Sequence, residues 1–524
     1  NSEKLIYNFE NRIFTKEEQE FLKKNRFEVH WQILNRWVIH HHNFILGPIN
    51  EYALGKDIND IFMQYGWLNI VMMKNLLDQV GGISYQNYFK VWYSFYYIYY
   101  IMYLCLLFLI FRRVDYVLIT SLISFALLNS INYQFIFLGP GLNPIRHFFD
   151  LFVIAFLFLH IQYQKKYYLL LSLFFALLGI LNNSQMGFFC FISLISILLI
   201  KFYLEQNNRD WMEIALILLA GAAGIYLLVE YRIGTDLMSK YYVDGLLGFP
   251  LKSKYLYIAF VFFAIGYITI MRALNVSGVV KYLALFMLLY TQTMFIYYVW
   301  GATEPHFRNF ASIYALTSVL ILNLLIENVK FFQQNRFRII NLIVLLCLCF
   351  YLPTVSQYYK AKKEYQDVFN THVTYKWNMD KAKFTSTMNP KYFEESVSLI
   401  HRYSDQNSIY ILSKYDAFLP FLSNRYSAMP FSDVSMFLIT SLEVQKCIDK
   451  IKTDNPQYLF LDTDINRPWE TDIISKLSYF GYLHDESVWR VQRLNLLKEI
   501  YKEIKDEYEP LEKGSLITVY KKRL

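Results

Sequence analysis

The hydrophobic pattern divides the chain into a polar beginning, a long apolar middle and a polar end. A membrane-spanning helix needs about 20 mostly apolar residues, and the middle contains one such run after another. Charged residues inside these runs are few and lie near their ends. The sequence therefore predicts ten spanning helices, at residues 89–111, 115–138, 148–163, 167–183, 186–204, 211–230, 255–272, 280–300, 309–326 and 338–354.

Two of these runs, 167–183 and 186–204, are separated only by Ser184 and Gln185. So short a separation predicts either a tight helical hairpin or a re-entrant turn. The composition supports the membrane assignment, since the chain is 55% hydrophobic and only 18% charged, whereas soluble domains carry about 25% charged residues.

Basic residues in the short connections predict the orientation, because loops rich in Lys and Arg face the cytoplasm. One set of alternate loops holds eleven of them: Arg112, Arg113, Lys165, Lys166, Lys201, Arg209, Arg272, Lys281, Lys330, Arg336 and Arg338. The other set holds six: Arg146, Arg232, Lys240, Lys252, Lys254 and Arg308. We expect the first set to be cytoplasmic, which places both polar ends outside the cytoplasm.

An exported amino-terminal region needs a signal, and the chain begins at Asn1 without one. We expect an upstream signal-anchor helix, which would be an eleventh span; a cleaved signal peptide is the alternative. Three parts are predicted: a first outer loop with juxtamembrane helices (1–88), a transmembrane helical domain (89–354) and an outer α/β domain (355–524).

The carboxyl-terminal region alternates helical and strand-like runs. Amphipathic helices are indicated at 393–404 and 443–454, and strands at 408–413, 458–462 and 516–520. Such alternation is typical of a small α/β domain. The predicted fold class is thus a polytopic α-helical membrane protein with a carboxyl-terminal extracytoplasmic α/β domain.

Ionisable and aromatic side chains are interleaved in the stretch 28–66, which suits a pocket against a membrane surface better than a solvated loop. Two further outer segments, 139–150 and 300–310, place Arg and His beside Gly- and Pro-containing breaks at span ends. The candidate binding residues are His30, Arg36, His41, His42, Arg146, His147, Glu304, His306 and Arg308. The candidate catalytic carboxylates are Glu28, Glu51 and Asp57, with Asp60 in reserve.

These residue types fit one kind of chemistry. Guanidinium and imidazole groups bind phosphate oxygens, a carboxylate can deprotonate an acceptor hydroxyl, and cations stabilise charge that develops on a leaving oxygen. Apolar spans beneath them would hold a lipid tail. The pattern therefore indicates transfer of a group from a lipid phosphate to an acceptor outside the cytoplasm.

The layout resembles the GT-C superfamily of integral-membrane glycosyltransferases, which share a carboxylate-bearing first outer loop, about eleven spans and an outer α/β domain. The run His41-His42, Leu46-Gly47-Pro48, Leu54-Gly55-Lys56 and Tyr65-Gly66 looks like a motif of some bacterial members. The resemblance covers the layout of the whole chain and about 40 residues of motif.

The resemblance implies a polyprenyl-phosphate-linked sugar as donor, a glycan, lipid or protein as acceptor, and a location in the bacterial inner membrane among its lipids. It implies a catalytic acid in the first outer loop, for which Glu28 is the first choice and Glu51 the second. Whether a divalent cation takes part is left open.

Other functions are less well supported by the sequence. An O-antigen-type ligase or polymerase is one alternative, and a non-enzymatic subunit of a surface assembly is another. A transporter is disfavoured because paired repeats and charged mid-membrane helices are not evident. Nucleic acid is not an expected partner. The five cysteines show no metal-ligand spacing, so no metal site is assigned.

Overall fold

The computed structural model describes most of the membrane region and much of the carboxyl-terminal region. The described residues are 42–43, 45–62, 66–129, 144–204, 211–230, 254–273, 279–300, 311–346, 349, 374–386, 388–413, 415–431, 441–463 and 497–523. They form two compact units. The first unit draws on Asn1–Met63, Ile70–Val91 and Glu364–Leu524, and the second on Gln64–Asn69 and Trp92–Lys363.

Apolar helices follow one another through the described part of the middle of the chain. A first helix, α1, covers residues 45–53, and α2 is Trp67–Gln79. The apolar helices are α3 (Tyr85–Phe111), α4 (Val114–Asn129), α5 (Phe148–Tyr163), α6 (Lys166–Asn182), α7 (Ser184–Leu204), α8 (Trp211–Glu230), α9 (Lys254–Ala273), α10 (Val279–Trp300) and α11 (Ala311–Asn328). A short helix, α12 (Lys330–Gln334), precedes α13 at residues 336–346.

Nine of the ten predicted spans correspond to helices α3 to α11, and α13 covers the first part of the tenth. Among the described residues, five helical segments are long and apolar enough to cross a membrane by length and composition: Tyr85–Phe111, Ser184–Leu204, Trp211–Leu228, Leu256–Ala273 and Ala311–Asn328. Many of their large apolar side chains are exposed, as lipid-facing residues are. The predicted fold class, a polytopic helical membrane protein, is confirmed.

Helix α10 lies at the centre of the second unit. From Leu283 to Leu288 all its side chains are buried, and a helix that is apolar and enclosed on all sides belongs to a core. It packs against α5, α7, α9 and α11, while α6 packs against α5 and α7. Residues of α10 are therefore placed to meet groups from several other helices.

The α6–α7 pair is a tight helical hairpin, one of the two arrangements that the sequence left open. Only Asn183 separates the two helices, and its backbone N–H donates to the carbonyl of Gly179. A Cβ on Gly187 would lie 2.1 Å from the carbonyl carbon of Gly179. The two backbones approach this closely only because glycine has no side chain.

The carboxyl-terminal part of the first unit is the predicted mixture of helices and strands. Its elements are β1 (Tyr375–Lys376), β2 (Thr385–Ser386), α14 (Pro390–Tyr403), β3 (Ser408–Ile409), β4 (Ile411–Leu412), α15 (Phe418–Leu422), β5 (Tyr426–Ser427), α16 (Ser441–Asp454), β6 (Tyr458–Asp462), β7 (Tyr508–Lys513) and β8 (Ile517–Lys522). A further helix, α17, covers 497–504.

The main sheet of this region has the strand order β4-β6-β8-β7. Strands β4 and β6 run parallel, with Leu412 opposite Leu461, whereas β8 is antiparallel to both β6 and β7. Strands β3 and β5 form a separate parallel pair, and β1 pairs with β2. Strands occur at all three segments that the sequence predicted.

The first-loop helix packs as part of this same unit. Asn50 in α1 donates from Nδ2 to the carbonyl of Arg425 at 2.7 Å, and the backbone N–H of Tyr85 donates to the carbonyl of Lys381 at 2.9 Å. Residues far apart in the sequence therefore share one compact body.

Candidate functional site

A cluster of ionisable side chains lies at the amino terminus of α5, in the second unit. His147 is the N-cap residue of this helix, and its Nδ1 is 2.6 Å from Oδ2 of Asp150. Residues three apart share one face of a helix, which explains how they meet. The side chains are only 1% and 2% exposed, so the pair is withdrawn from water.

Tyr290 of α10 completes the cluster. Its hydroxyl donates to Oδ2 of Asp150 and lies 3.5 Å from Nδ1 of His147. A buried carboxylate needs hydrogen-bond donors to offset its lost hydration, and Asp150 has two. Because an ionised carboxylate only accepts, His147 presents Nδ1–H to it.

The other ring nitrogen of His147, Nε2, is the atom left for chemistry. It is buried and has no hydrogen-bond partner among the described residues. With Asp150 on the opposite side of the ring, a proton on Nε2 gives a charge-compensated imidazolium. Arg146 precedes it at the helix amino terminus, a position that favours anions through its backbone N–H groups and dipole.

One asparagine side chain, that of Asn182, is hydrogen-bonded to the segment that leads into α5. Asn182 of α6 donates from Nδ2 to the backbone carbonyl of Ile145 at 2.7 Å. The backbone carbonyl of Asn182 accepts from the backbone N–H of Gly66 at 2.8 Å. A Cβ on Gly66 would lie 1.8 Å from the carbonyl oxygen of Leu181. Gly66, part of the predicted motif, is therefore required for a close backbone approach.

Glu51, a predicted catalytic carboxylate, lies in the first unit and forms a buried ion pair. Its Oε2 accepts from Nζ of Lys56 at 2.9 Å, and Lys56 also donates to the carbonyl of Ser427 at 3.1 Å. Burial raises the pKa of Glu51 above its usual value, while Lys56 acts in the opposite direction. This geometry links α1 to β5, and the role of Glu51 as a base stays a prediction.

Asp57 and His42 also belong to the first unit, in contrasting settings. Asp57 is exposed and caps the short 3-10 helix Ile58–Asp60, accepting from the backbone N–H of Asn59 at 2.8 Å. His42 is fully buried, with its ring centroid 5.0 Å from that of Phe89. The catalytic role of Asp57 and the substrate contact of His42 stay predictions.

The predicted residues are thus divided between the two units. Arg146 and His147 lie together in the second unit, and His42, Glu51 and Asp57 in the first. The others lie outside the described residues: Glu28, His30, Arg36, His41, Glu304, His306 and Arg308.

The sequence interpretation did not select Asp150 or Tyr290. Asp150 carried a usable signal, since an acid within an apolar run is a functional candidate by default and stands three residues after His147. Tyr290 carried none, because the chain is rich in Tyr and this one lies 140 residues away from Asp150. Within the described part of the chain, no three His, Cys, Asp or Glu side chains form a metal-binding group.

Comparison with known proteins shows a likeness to solved structures but to no family model and no curated protein. A solved structure of the archaeal oligosaccharyltransferase AglB from Archaeoglobus fulgidus, in complex with an inhibitory peptide and a dolichol-phosphate, is similar over 92% of this chain and 70% of that one, at 13% identity and a TM-score of 0.38. The likeness is loose, so any function proposed for this chain rests on its own residues.

Proposed function

We propose that the protein is a membrane glycosyltransferase that moves a sugar from a polyprenyl-phosphate carrier to an acceptor outside the cytoplasm. The observation that supports this best is the buried His147–Asp150–Tyr290 cluster, beside Arg146 at the start of an apolar helix. Ionisable groups buried among membrane helices are costly and mark functional sites. An anion-binding helix terminus beside lipid suits a lipid-linked phosphate.

In the proposed reaction, the donor phosphate contacts Arg146 and Nε2 of His147. Asp150 holds Nδ1–H and stabilises the protonated ring, so that Nε2 donates a charge-assisted hydrogen bond. Negative charge grows on the phosphate oxygen as the glycosidic bond breaks. Donors fixed at that position stabilise the transition state more than the ground state.

A first-loop carboxylate is proposed as the general base. It takes the proton of the acceptor hydroxyl, the acceptor oxygen bonds to the anomeric carbon, and the polyprenyl phosphate leaves with the electrons of the broken bond. One displacement inverts the anomeric centre. Glu28 remains the first choice, with Glu51 and Asp57 as alternatives; the ion pair of Glu51 with Lys56 leaves it a weaker base than an unpaired buried carboxylate.

A pair of histidine variants tests the proposal. His147→Gln removes the imidazole of the cluster, whereas His160→Gln makes the same change in the same helix, at a buried histidine that contacts Glu213. Transfer from a polyprenyl-phosphate-linked sugar by the purified full-length protein is the measurement. We expect His147→Gln to lower kcat/KM about 10- to 100-fold, the worth of a hydrogen bond to a charged group, and His160→Gln to retain most activity.

Equal activity of the two variants would contradict the assignment of His147. A donor series in which the natural protein transfers no sugar from any polyprenyl phosphate, while remaining folded, would overturn the proposed function itself.

A further inference from the structure

A cavity of about 180 Å³ lies in the second unit, away from the His147 cluster. It is lined by residues from the end of α3, the start of α4, the start of α10, the later part of α11 and the first residue of α13. Val280 lines it, and ten residues along α10, about 15 Å, separate Val280 from Tyr290. The Lys and Arg distribution predicts that this end of the helices faces the cytoplasm.

Two arginines line this cavity, and one of them is satisfied. Arg113 donates from Nε to Oδ1 of Asp115 at 3.0 Å and from Nη2 to Oδ2 of the same carboxylate. Its guanidinium also lies over the ring of Tyr116, 4.8 Å from the centroid. The bidentate edge of Arg113 is therefore fully used within the protein.

Arg336, the second arginine of the lining, is not hydrogen-bonded in the same way. Its Nε and Nη2 are closed to solvent and have no hydrogen-bond partner among the described residues. Nη2 of Arg336 lies 3.9 Å from Oδ2 of Asp115, the oxygen that accepts from Arg113. This distance is within ion-pair range but beyond hydrogen-bond length. Another carboxylate of the lining, Glu327, accepts from Nδ2 of Asn323 at 3.1 Å.

Two buried donors on one guanidinium edge define the ligand chemistry. A buried N–H without an acceptor is costly, and the Nε–Nη2 edge of a guanidinium matches two oxygens of an oxyanion. Exposed cations at the same helix ends, Arg112, Lys330 and Arg338, add positive potential. The cavity holds several waters by volume, enough for a phosphate group, and Leu320 and Ile326 provide apolar walls.

We propose that this cavity is a phosphate-binding site in which Arg336 holds two phosphate oxygens through Nε and Nη2. The phosphate belongs either to a membrane lipid, whose carbon chains would follow the apolar walls, or to a free phosphate in solution. This site is independent of the proposed sugar transfer. It lies near the start of α10, at Val280, whereas the His147 cluster uses Tyr290 farther along the same helix, and the two sites share no residue.

The experiment compares the full-length natural protein with Arg336→Gln, Arg336→Lys and Arg338→Gln. Arg338→Gln is the matched control, because Arg338 is exposed and does not line the cavity. Native mass spectrometry counts the phosphatidylglycerol and phosphatidylcholine molecules retained after transfer from lipid nanodiscs to detergent. In parallel, the thermal midpoint is measured in detergent with increasing inorganic phosphate.

If the phosphate comes from a lipid, the natural protein and Arg338→Gln each retain one phospholipid. Arg336→Gln should lose this phospholipid, because its affinity for the lipid is about 10- to 100-fold lower. If it is free, inorganic phosphate raises the thermal midpoint of these two proteins and not that of Arg336→Gln. Arg336→Lys keeps the positive charge but lacks the paired N–H donors of the guanidinium. It should therefore bind the phosphate group with an affinity between those of the natural protein and Arg336→Gln. Equal lipid retention and equal phosphate response in all four proteins would overturn the proposal.

Discussion

Glu51 and Asp150 are both carboxylates almost closed to solvent, with side chains 4% and 2% exposed, but their partners differ. Glu51 faces a lysine that also binds a backbone carbonyl, so its charge is used to join two elements of the first unit. Asp150 faces an imidazole whose second nitrogen carries no partner among the described residues. At the residue scale, the role of a buried carboxylate therefore depends on its partner. Lys56 uses its other hydrogen bond to hold the fold together, whereas His147 has a ring nitrogen that a substrate could contact.

Lys381 gives a residue-scale prediction about pH. Burial lowers the pKa of Lys381 to about 8, and its Nζ donates to Oδ1 of Asn50. Between pH 8 and its ordinary value of 10.5, the unfolded chain binds a proton that the folded chain does not. Stability from this group therefore rises with pH across that window, by up to about 3 kcal/mol.

The measurement is the thermal midpoint of the full-length protein from pH 7.5 to 10.5, compared between the natural chain and Lys381→Met. The difference in stability between them should shift in favour of the natural chain as pH rises through the window. Lys383→Met, at an exposed position in the same hairpin, serves as control and should show no such trend. A constant difference for Lys381→Met would contradict the lowered pKa.

The residues of the candidate site could be predicted only in part. Arg146 and His147 are recognisable because a Pro-containing break at a span end marks them, and Asp150 follows within one helical turn. Tyr290 joins the cluster only because α10 packs against α5. Contacts between helices depend on the packing of whole surfaces, which no local pattern in the sequence records.

At the scale of elements, the α6–α7 hairpin depends on glycine at one position. Gly187→Ala forces a Cβ against the backbone of Gly179, where no flexible side chain can move aside. We expect a loss of about 3 kcal/mol or more, the upper range for an overpacked core. The thermal midpoint of the full-length protein in detergent measures it.

Gly221→Ala is the matched control for that substitution. Gly221 lies inside α8, where a Cβ would meet nothing within 4 Å. Alanine is favoured over glycine within a helix by about 0.5–1 kcal/mol, so this variant should be unchanged or slightly more stable. If Gly187→Ala were tolerated as well as Gly221→Ala, the close approach of α6 and α7 would be wrong.

For the whole molecule, the distribution of Lys and Arg predicts which side each region faces. Lys391, exposed in the first unit, should face the outside, and Lys330, exposed between α11 and α13, should face the cytoplasm. With Lys391→Cys, a membrane-impermeant maleimide should label intact cells. With Lys330→Cys, labelling should require permeabilised cells.

The natural chain, with its own five cysteines, provides the background for this labelling. Reversed accessibility of the two positions would invert the predicted topology and place the first unit in the cytoplasm. It would also exclude an acceptor outside the cytoplasm for any site that uses first-loop residues.

The sequence alone determined where the described apolar helices lie, the three strand segments at 408–413, 458–462 and 516–520, and the polar segment before α5. These features follow from local patterns of hydrophobicity, which act over one helix or strand at a time. Tertiary structure decided that first-loop residues pack with carboxyl-terminal strands, that Glu51 is paired with Lys56 and that Tyr290 meets Asp150. It also decided that Arg336 lines a cavity while its Nε and Nη2 have no hydrogen-bond partner among the described residues. Each of these contacts depends on which surfaces of the folded chain pack together. That packing also sets how far a charged side chain is buried and which hydrogen-bond partners it has.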